Sequence, residues 1–323
     1  MDAPSPREIC ANIHQIGSLP QSLAAVLKVL DDPRTAADGI AEVIARDVSL
    51  TSRVLKMVNS SHYGQRRRIT RVSDAVVVMG LNSVRMLVLS STVFSLLPDR
   101  ELAGKFDIRR IWRHLIETAT SAERIAEEIN YPDPEEAFIA GILHDIGLII
   151  MVLHFREKYL EIIDRLNQGR QGIESAEYDL FGVTHTEVGA EMASLWKLPA
   201  TLVDIIGNHH NLDNLRLRDD KKVLGDIIAL ADRFTLGPFA HYFPAIEESI
   251  EFFKRVRERL NLDSTTTTEI RKEAIGRAIR LADYLELDIG DTAAILTEAN
   301  EKLAEMYFSL ESMYLQNKEA MRV

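Results

Sequence analysis

The chain has 323 residues, 46% of them apolar and 27% charged. That make-up excludes a disordered chain, a collagen-like repeat and a disulfide scaffold, and the length suits about two domains. A net charge of −11 argues against a generic nucleic-acid binder. The single cysteine, Cys10, rules out an intrachain disulfide and a cysteine-based zinc cluster, so any metal must be held by histidine and carboxylate.

The charge is uneven along the chain. Residues 1–100 carry 12 Lys and Arg against 9 Asp and Glu, a net +3 that leaves −14 for the remainder. The N-terminus lacks the basic start and apolar run of a secretory signal. The most apolar stretches, 86–97 and 137–153, are broken by serines and by His144-Asp145, so no clean membrane span is expected. A reduced, cytoplasmic location is the default expectation.

In chain order, Ser18-Leu19-Pro20-Gln21 reads as a capping box with Pro inside the first turn. Leu23, Val26, Leu27 and Leu30 then line one helix face, and Asp31-Asp32-Pro33 ends it. Further helices are predicted over 36–45 and 49–58, the latter with Leu50, Val54, Leu55 and Val58 inward. A basic loop at 64–71 follows, then helices over 74–79 and 82–96 separated by Gly80. The pattern predicts helices over 108–129, 135–153, 156–168, 171–180, 185–196, 200–209 and 219–234. Thr184 to Glu187 is a second capping box, which puts His185 in a first helical turn. Gly237, Pro238 and Pro244 mark a loop, and the Thr-rich stretch 263–268 reads as a connector between two more helices. There is no alternating strand set and no βαβ rhythm, so the expected fold is all-α.

The last helix has a pattern of its own. Leu296, Ala299, Leu303, Met306, Leu310 and Met313 are spaced 3, 4, 3, 4, 3, an a/d seam. It fits an amphipathic helix packed on its own chain, or a coiled coil that pairs two copies.

Five of the nine histidines, His114, His144, His185, His209 and His210, stand in helical context beside apolar residues, together with Asp145 and Asp232. A single histidine of this kind is ordinarily a satisfied core residue. Five of them with two aspartates, drawn from five helices, read jointly as a site. Imidazole and carboxylate together suit Fe, Mn, Zn or Ni, and a carboxylate can bridge two ions. The competing reading is a hydrogen-bonded polar core.

The order His114, His144-Asp145, Asp232 resembles the HD metal-dependent phosphohydrolase superfamily, and His185 with His209-His210 resembles the second-metal ligands of its HD-GYP members. The HDOD family is a closer likeness. It is carried by Leu19-Pro20, Ile44 to Asp47 with Ser49 to Thr51, Asn59 to Ser61 with Tyr63-Gly64, and Ala75 to Leu81. Trp112 to His114, Ala137 to Gly147 and Trp196 to Pro199 continue it, so that it spans about residues 15–235. The resemblance implies a multi-helical HD-like bundle with an N-terminal helical subdomain (1–100) and an HD-like core (101–240); the chain's own helical pattern adds a C-terminal helical extension (241–323) with a possible coiled-coil helix. It implies metal ligation by His114, His144, Asp145, His185, His209, His210 and Asp232, with a mono- or dinuclear Fe or Mn centre foremost and Zn or Ni as alternatives.

HDOD proteins are regulatory modules without an established activity, which implies a signalling protein that binds a partner, an output domain or a nucleotide ligand. The departures from the enzymes agree. Leu148 stands where HD-GYP enzymes have a phosphate-contacting Lys, Asn211 to Asn214 replaces Gly-Tyr-Pro, and Arg110 precedes His114 by one turn where a third metal would need a carboxylate. The alternative is a phosphohydrolase acting on a nucleotide or cyclic dinucleotide, with His144 and Asp145 as its catalytic residues. The cluster Arg66, Arg67, Arg68 and Arg71 reads first as a solvated loop and secondarily as a ligand-binding phosphate patch. His154 is offset by about 80° from His144 around a continuous helix and stays outside the site.

Overall fold

The computed structural model describes residues 29, 37–59, 67–80, 84, 107, 109–167, 172–196, 198–235, 246–285 and 287–291. Every regular element among them is helical, with no strand, as the periodicity predicts. The helices expected over 18–30 and 82–96 fall almost wholly outside the described residues; the loop prolines and the 296–313 seam fall entirely outside them.

The N-terminal part contributes α1 (Ala37–Ala45) and α2 (Val48–Val58). Asp47 joins them, and its carboxylate accepts the Leu50 N–H at 3.0 Å, capping α2. Ile40, Ile44, Leu50, Val54 and Val58 form the buried seam between the two. Asn59 then works as a backbone substitute. Its amide donates to the Leu55 and Ile69 carbonyls at 2.6 and 2.8 Å, and its Oδ1 accepts the Ile69 N–H at 2.7 Å. That grip holds the end of the basic loop on α2. A helical stretch follows over 72–80 and ends at Gly80, whose φ of +79° lies in the left-handed region.

The centre of the bundle is α3 (Arg109–Glu128). Its buried positions run around most of its circumference, from Ile111 to Ala126. A helix buried on so many sides must be packed by several others. Here α4 (Pro134–Leu143), α10 (Asp219–Phe234) and α12 (Ser264–Leu285) surround it. Asp133 caps α4 with Pro134 in its first turn. Gly141 lets α4 approach closely, because a Cβ there would lie 2.6 Å from the Ala119 Cα.

The predicted helix over 135–153 is in fact two. It breaks after Leu143, and α5 (Ile146–His154) starts anew with Asp145 at its N-cap position. The halves have different neighbours: α4 packs on α3, α5 on α8 (His185–Leu195). Between α5 and α8 run α6 (Arg156–Asn167) and α7 (Ile173–Phe181). Gly182, at φ +73°, ends α7 and turns the chain into the Thr184–Glu187 capping box. Then α9 (Ala200–Asn208) packs on α8, and a short 3-10 turn, Leu212–Asn214, leads to α10.

The Thr-rich stretch is helical rather than a connector. After α11 (Ile246–Arg259), Asp263 caps α12 by accepting the Thr266 N–H at 2.7 Å, and Thr268 donates back to the Ser264 carbonyl at 2.9 Å. The Asp263 carboxylate satisfies one of the first-turn N–H groups that would otherwise be orphaned. Helix α12 returns along α3 and also touches α2. Arg277 bridges Glu127 at 2.8 and 2.7 Å and Glu123 at 3.2 Å, Arg124 meets Glu273 at 2.6 Å, and Thr120 donates to the Ala274 carbonyl at 3.1 Å.

The segment Pro134–His154 is apolar and long enough to cross a membrane by composition, but most of it is buried inside the bundle and it breaks at His144-Asp145.

Candidate metal centre

The break between α4 and α5 is what builds the site. His144 follows the last residue of α4 and Asp145 precedes the first of α5. Gly141 draws α4 onto α3, which carries His114. Gly147 draws α5 onto α8, which opens with His185; a Cβ on Gly147 would stand 1.9 Å from the His185 carbonyl oxygen and 2.5 Å from the Gly189 nitrogen. His209 and His210 follow α9, and Asp232 lies in the last turn of α10. All seven predicted ligands are therefore brought together. Six are buried, and His210 is the exception with its side chain 22% exposed.

Asp145 sits at the middle. Its Oδ2 is 3.1 Å from His114 Nε2 and 3.4 Å from His144 Nε2. Its Oδ1 is 3.5 Å from His185 Nε2 and 3.4 Å from His209 Nε2. Asp232 Oδ1 closes the first group, 3.4 Å from His114 and 3.7 Å from His144, while its Oδ2 is 3.9 Å from His210 Nδ1. The result is two adjoining ligand sets, His114/His144/Asp145 and Asp145/His185/His209/His210, which share one carboxylate.

The outer nitrogens fix the tautomers. His144 Nδ1 donates to the Gly141 carbonyl at 2.7 Å and His209 Nδ1 to the Ile206 carbonyl at 2.9 Å. His185 Nδ1 donates to Glu177 Oε2 at 2.7 Å. His114 Nδ1 is 2.7 Å from Thr235 Oγ1, whose own hydrogen goes to the Asp232 carbonyl, so this imidazole also donates outward. Four Nε2 lone pairs and the carboxylate oxygens thus face one another at 3.1–3.7 Å. Acceptors held so close repel unless a cation lies among them. His209 Nε2 illustrates this: it is buried with no hydrogen-bond partner. The residues fit a bound metal, and outward-donating imidazoles are the usual second layer of such sites.

Protonation makes the same demand. Burial works against a charge on His144, yet Asp145 and Asp232 push its pKa up to about 10. Burial likewise opposes charge on His185, and Glu177 overrides it, raising the value to about 9. Burial opposes the Asp145 anion too, but His144, His114 and His209 hold its pKa well below the usual carboxylate range. Burial and the neighbouring His209 keep His210 well below the ordinary histidine value. Positive charge belongs at this centre, as protons or as metal.

Comparison with known proteins places the chain. The sequence profile of the HDOD domain matches residues 16–212. The chain belongs to the HDOD family. An uncharacterized protein of Treponema pallidum (strain Nichols) is 28% identical over 269 residues, covering 80% of this chain and 50% of that one. The chain therefore spans about half the length of this curated relative. A crystal structure from Shewanella amazonensis SB2B, of a candidate phosphohydrolase, superposes with a TM-score of 0.67 at 23% identity, covering 88% of this chain and 98% of that one. A candidate signal transduction protein from Marinobacter aquaeolei VT8 gives 0.64 at 21%, covering 83% and 59%. These two likenesses establish the fold. The HDOD match ends before Asp232, yet α10 brings that carboxylate into the site.

Within this HDOD chain the sequence reading missed the residues behind the ligands: Glu177, Tyr159 and Thr235. Glu177 stands eight positions before His185 on a different helix, so spacing gives no signal for it. Leu148 is buried in α5. His154 lies outside both ligand sets. Arg67, Arg68 and Arg71 are exposed and do not join the cluster, and Arg66 lies outside the described residues.

Proposed function

We propose that the chain is a cytoplasmic bacterial regulatory protein whose HDOD domain binds a signalling partner or ligand around a retained metal centre, without turning over a substrate. The burial of the ligands carries this reading. Catalytic metal sites keep an open coordination position, whereas structural sites are closed by protein ligands. Here six of the seven side chains are buried and His210 is the most exposed. Leu148, at the position of the enzymes' phosphate-binding lysine, adds no cation for a substrate. The donor set of nitrogen and carboxylate oxygen suits Fe or Mn, with Zn or Ni as alternatives. Bound metal would neutralise the two aspartates and hold α3, α4, α8, α9 and α10 at fixed spacing.

The test uses untagged protein purified without oxygen. Elemental analysis is expected to give at least one equivalent of transition metal, and a phosphodiester panel with added Fe or Mn is expected to give no turnover above that of His144→Ala/Asp145→Ala. Less than a tenth of an equivalent after reconstitution would remove the metal. Turnover that the double substitution abolishes would establish the alternative, a metal-dependent phosphohydrolase.

A further inference from the structure

The two ligand sets differ in charge. Asp145 and Asp232 both face the His114/His144 side, whereas Asp145 is the close carboxylate on the His185/His209 side. Two divalent ions side by side repel, so the second set needs another negative charge. Glu177 supplies one from behind. It is fully buried in α7, and its Oε2 accepts both the His185 ring N–H at 2.7 Å and the His185 backbone N–H at 2.8 Å. Its Oε1 accepts the hydroxyl of Tyr159, itself fully buried in α6. The α8 N-terminus already has a complete capping box in Thr184 and Glu187, so a cap does not call for a buried carboxylate here. A charged group this deep is retained where it meets an opposite charge.

We propose that Glu177 is a positioning residue for the second metal subsite, acting through His185 to give that subsite the anionic charge its ion needs. A carboxylate behind a metal-bound imidazole fixes the ring and raises its basicity. The subsite at His185, His209 and His210 is then the one that loses its ion when Glu177 loses its charge, while the subsite at His114 and His144 keeps its own. The inference rests on the reading that the cluster binds metal.

The experiment titrates Mn²⁺ into the metal-free full chain and follows stoichiometry by calorimetry and the spin-coupled signal of a Mn pair by EPR. Wild type is expected to take two ions and to show coupling. Glu177→Gln keeps the side chain's size and its acceptor oxygen but removes the charge. It is expected to bind the second ion about 10–100-fold more weakly and to show the six-line signal of an isolated Mn²⁺ under the same conditions. Tyr159→Phe disturbs the same buried contact but leaves the charge, and it should retain the coupled pair. Circular dichroism and retention of the first ion would show that Glu177→Gln is folded. Two ions bound by Glu177→Gln with wild-type affinity would overturn the proposal. So would loss of the second ion in Tyr159→Phe to the same degree, since packing alone would then explain it. A wild type that binds no ion would instead overturn the metal centre itself.

Discussion

At the scale of single residues, the site is a set of acceptors waiting for positive charge, and this sets its response to pH. His144 and His185, with pKa values raised to about 10 and about 9, carry protons in the metal-free fold at neutral pH. Unfolded histidine titrates near about 6.5. The folded values lie above the unfolded one, so the metal-free protein draws stability from these protons fully below about pH 6.5 and loses it as pH climbs towards 9 and 10. A metal bound here would replace those protons, so loading would release them and affinity would rise with pH. Thermal melts of chelator-treated and metal-loaded protein should therefore diverge as pH is raised, the loaded form gaining most at the alkaline end. A metal-induced rise in Tm that does not vary with pH would contradict this. The cluster itself was legible in the sequence, because seven polar residues in apolar helices require partners. Glu177 was not, because a glutamate in an amphipathic helix looks solvated until the tertiary fold buries it.

At the scale of elements, the sequence reading located helices among the described residues but not the break that matters. Ala137 to Leu153 is one apolar run, and nothing in its periodicity separates Leu143 from Ile146. The break comes from tertiary contacts, since α4 must lie on α3 and α5 on α8. The Thr-rich start of α12 misled for the opposite reason. Threonine is a weak helix former in general, but the Asp263 cap and the packing of α12 along α3 outweigh that preference. The glycines make the crossing testable. Gly147→Ala puts a methyl into the backbone of α8 at His185 and Gly189, where neither neighbour can yield as a side chain would. The expected cost is about 1–3 kcal/mol or more, together with loss of the His185-side metal. Gly276→Ala in α12 is the opposite case. Its methyl would meet only the mobile end of Arg280, at 3.4 Å, so it should stabilise the helix by about 0.5–1 kcal/mol. Urea melts of the two variants measure both effects. A Gly147→Ala protein as stable as wild type would show that the α5–α8 contact does not depend on the close approach.

At the scale of the whole molecule, α12 and the residues just after it are tied to the helix that carries His114. The ion pairs of Arg124 and Arg277 and the Thr120 hydrogen bond fasten α12 along α3. Beyond α12, Ile289 is buried, Gly290 takes a left-handed φ of +97°, and its N–H is held by Asp288 at 3.0 Å. Asp288 also meets Arg109, in the first turn of α3, at 3.3 Å. Asp288 and Gly290 thus lie beside the start of α3, the helix that carries His114. A displacement of α3 on metal or partner binding would be delivered to the residues that follow Gly290. Those residues hold the seam from Leu296 to Met313, where apolar side chains alternate three and four apart as in a paired helix. Alanine and methionine make the seam weak, which suits a contact that forms and releases. Light scattering should find the full chain dimeric and a version ending at Gly290 monomeric; that version keeps the buried Ile289 side chain. If both are monomers at every concentration, the seam packs on its own chain and the output must leave by another surface.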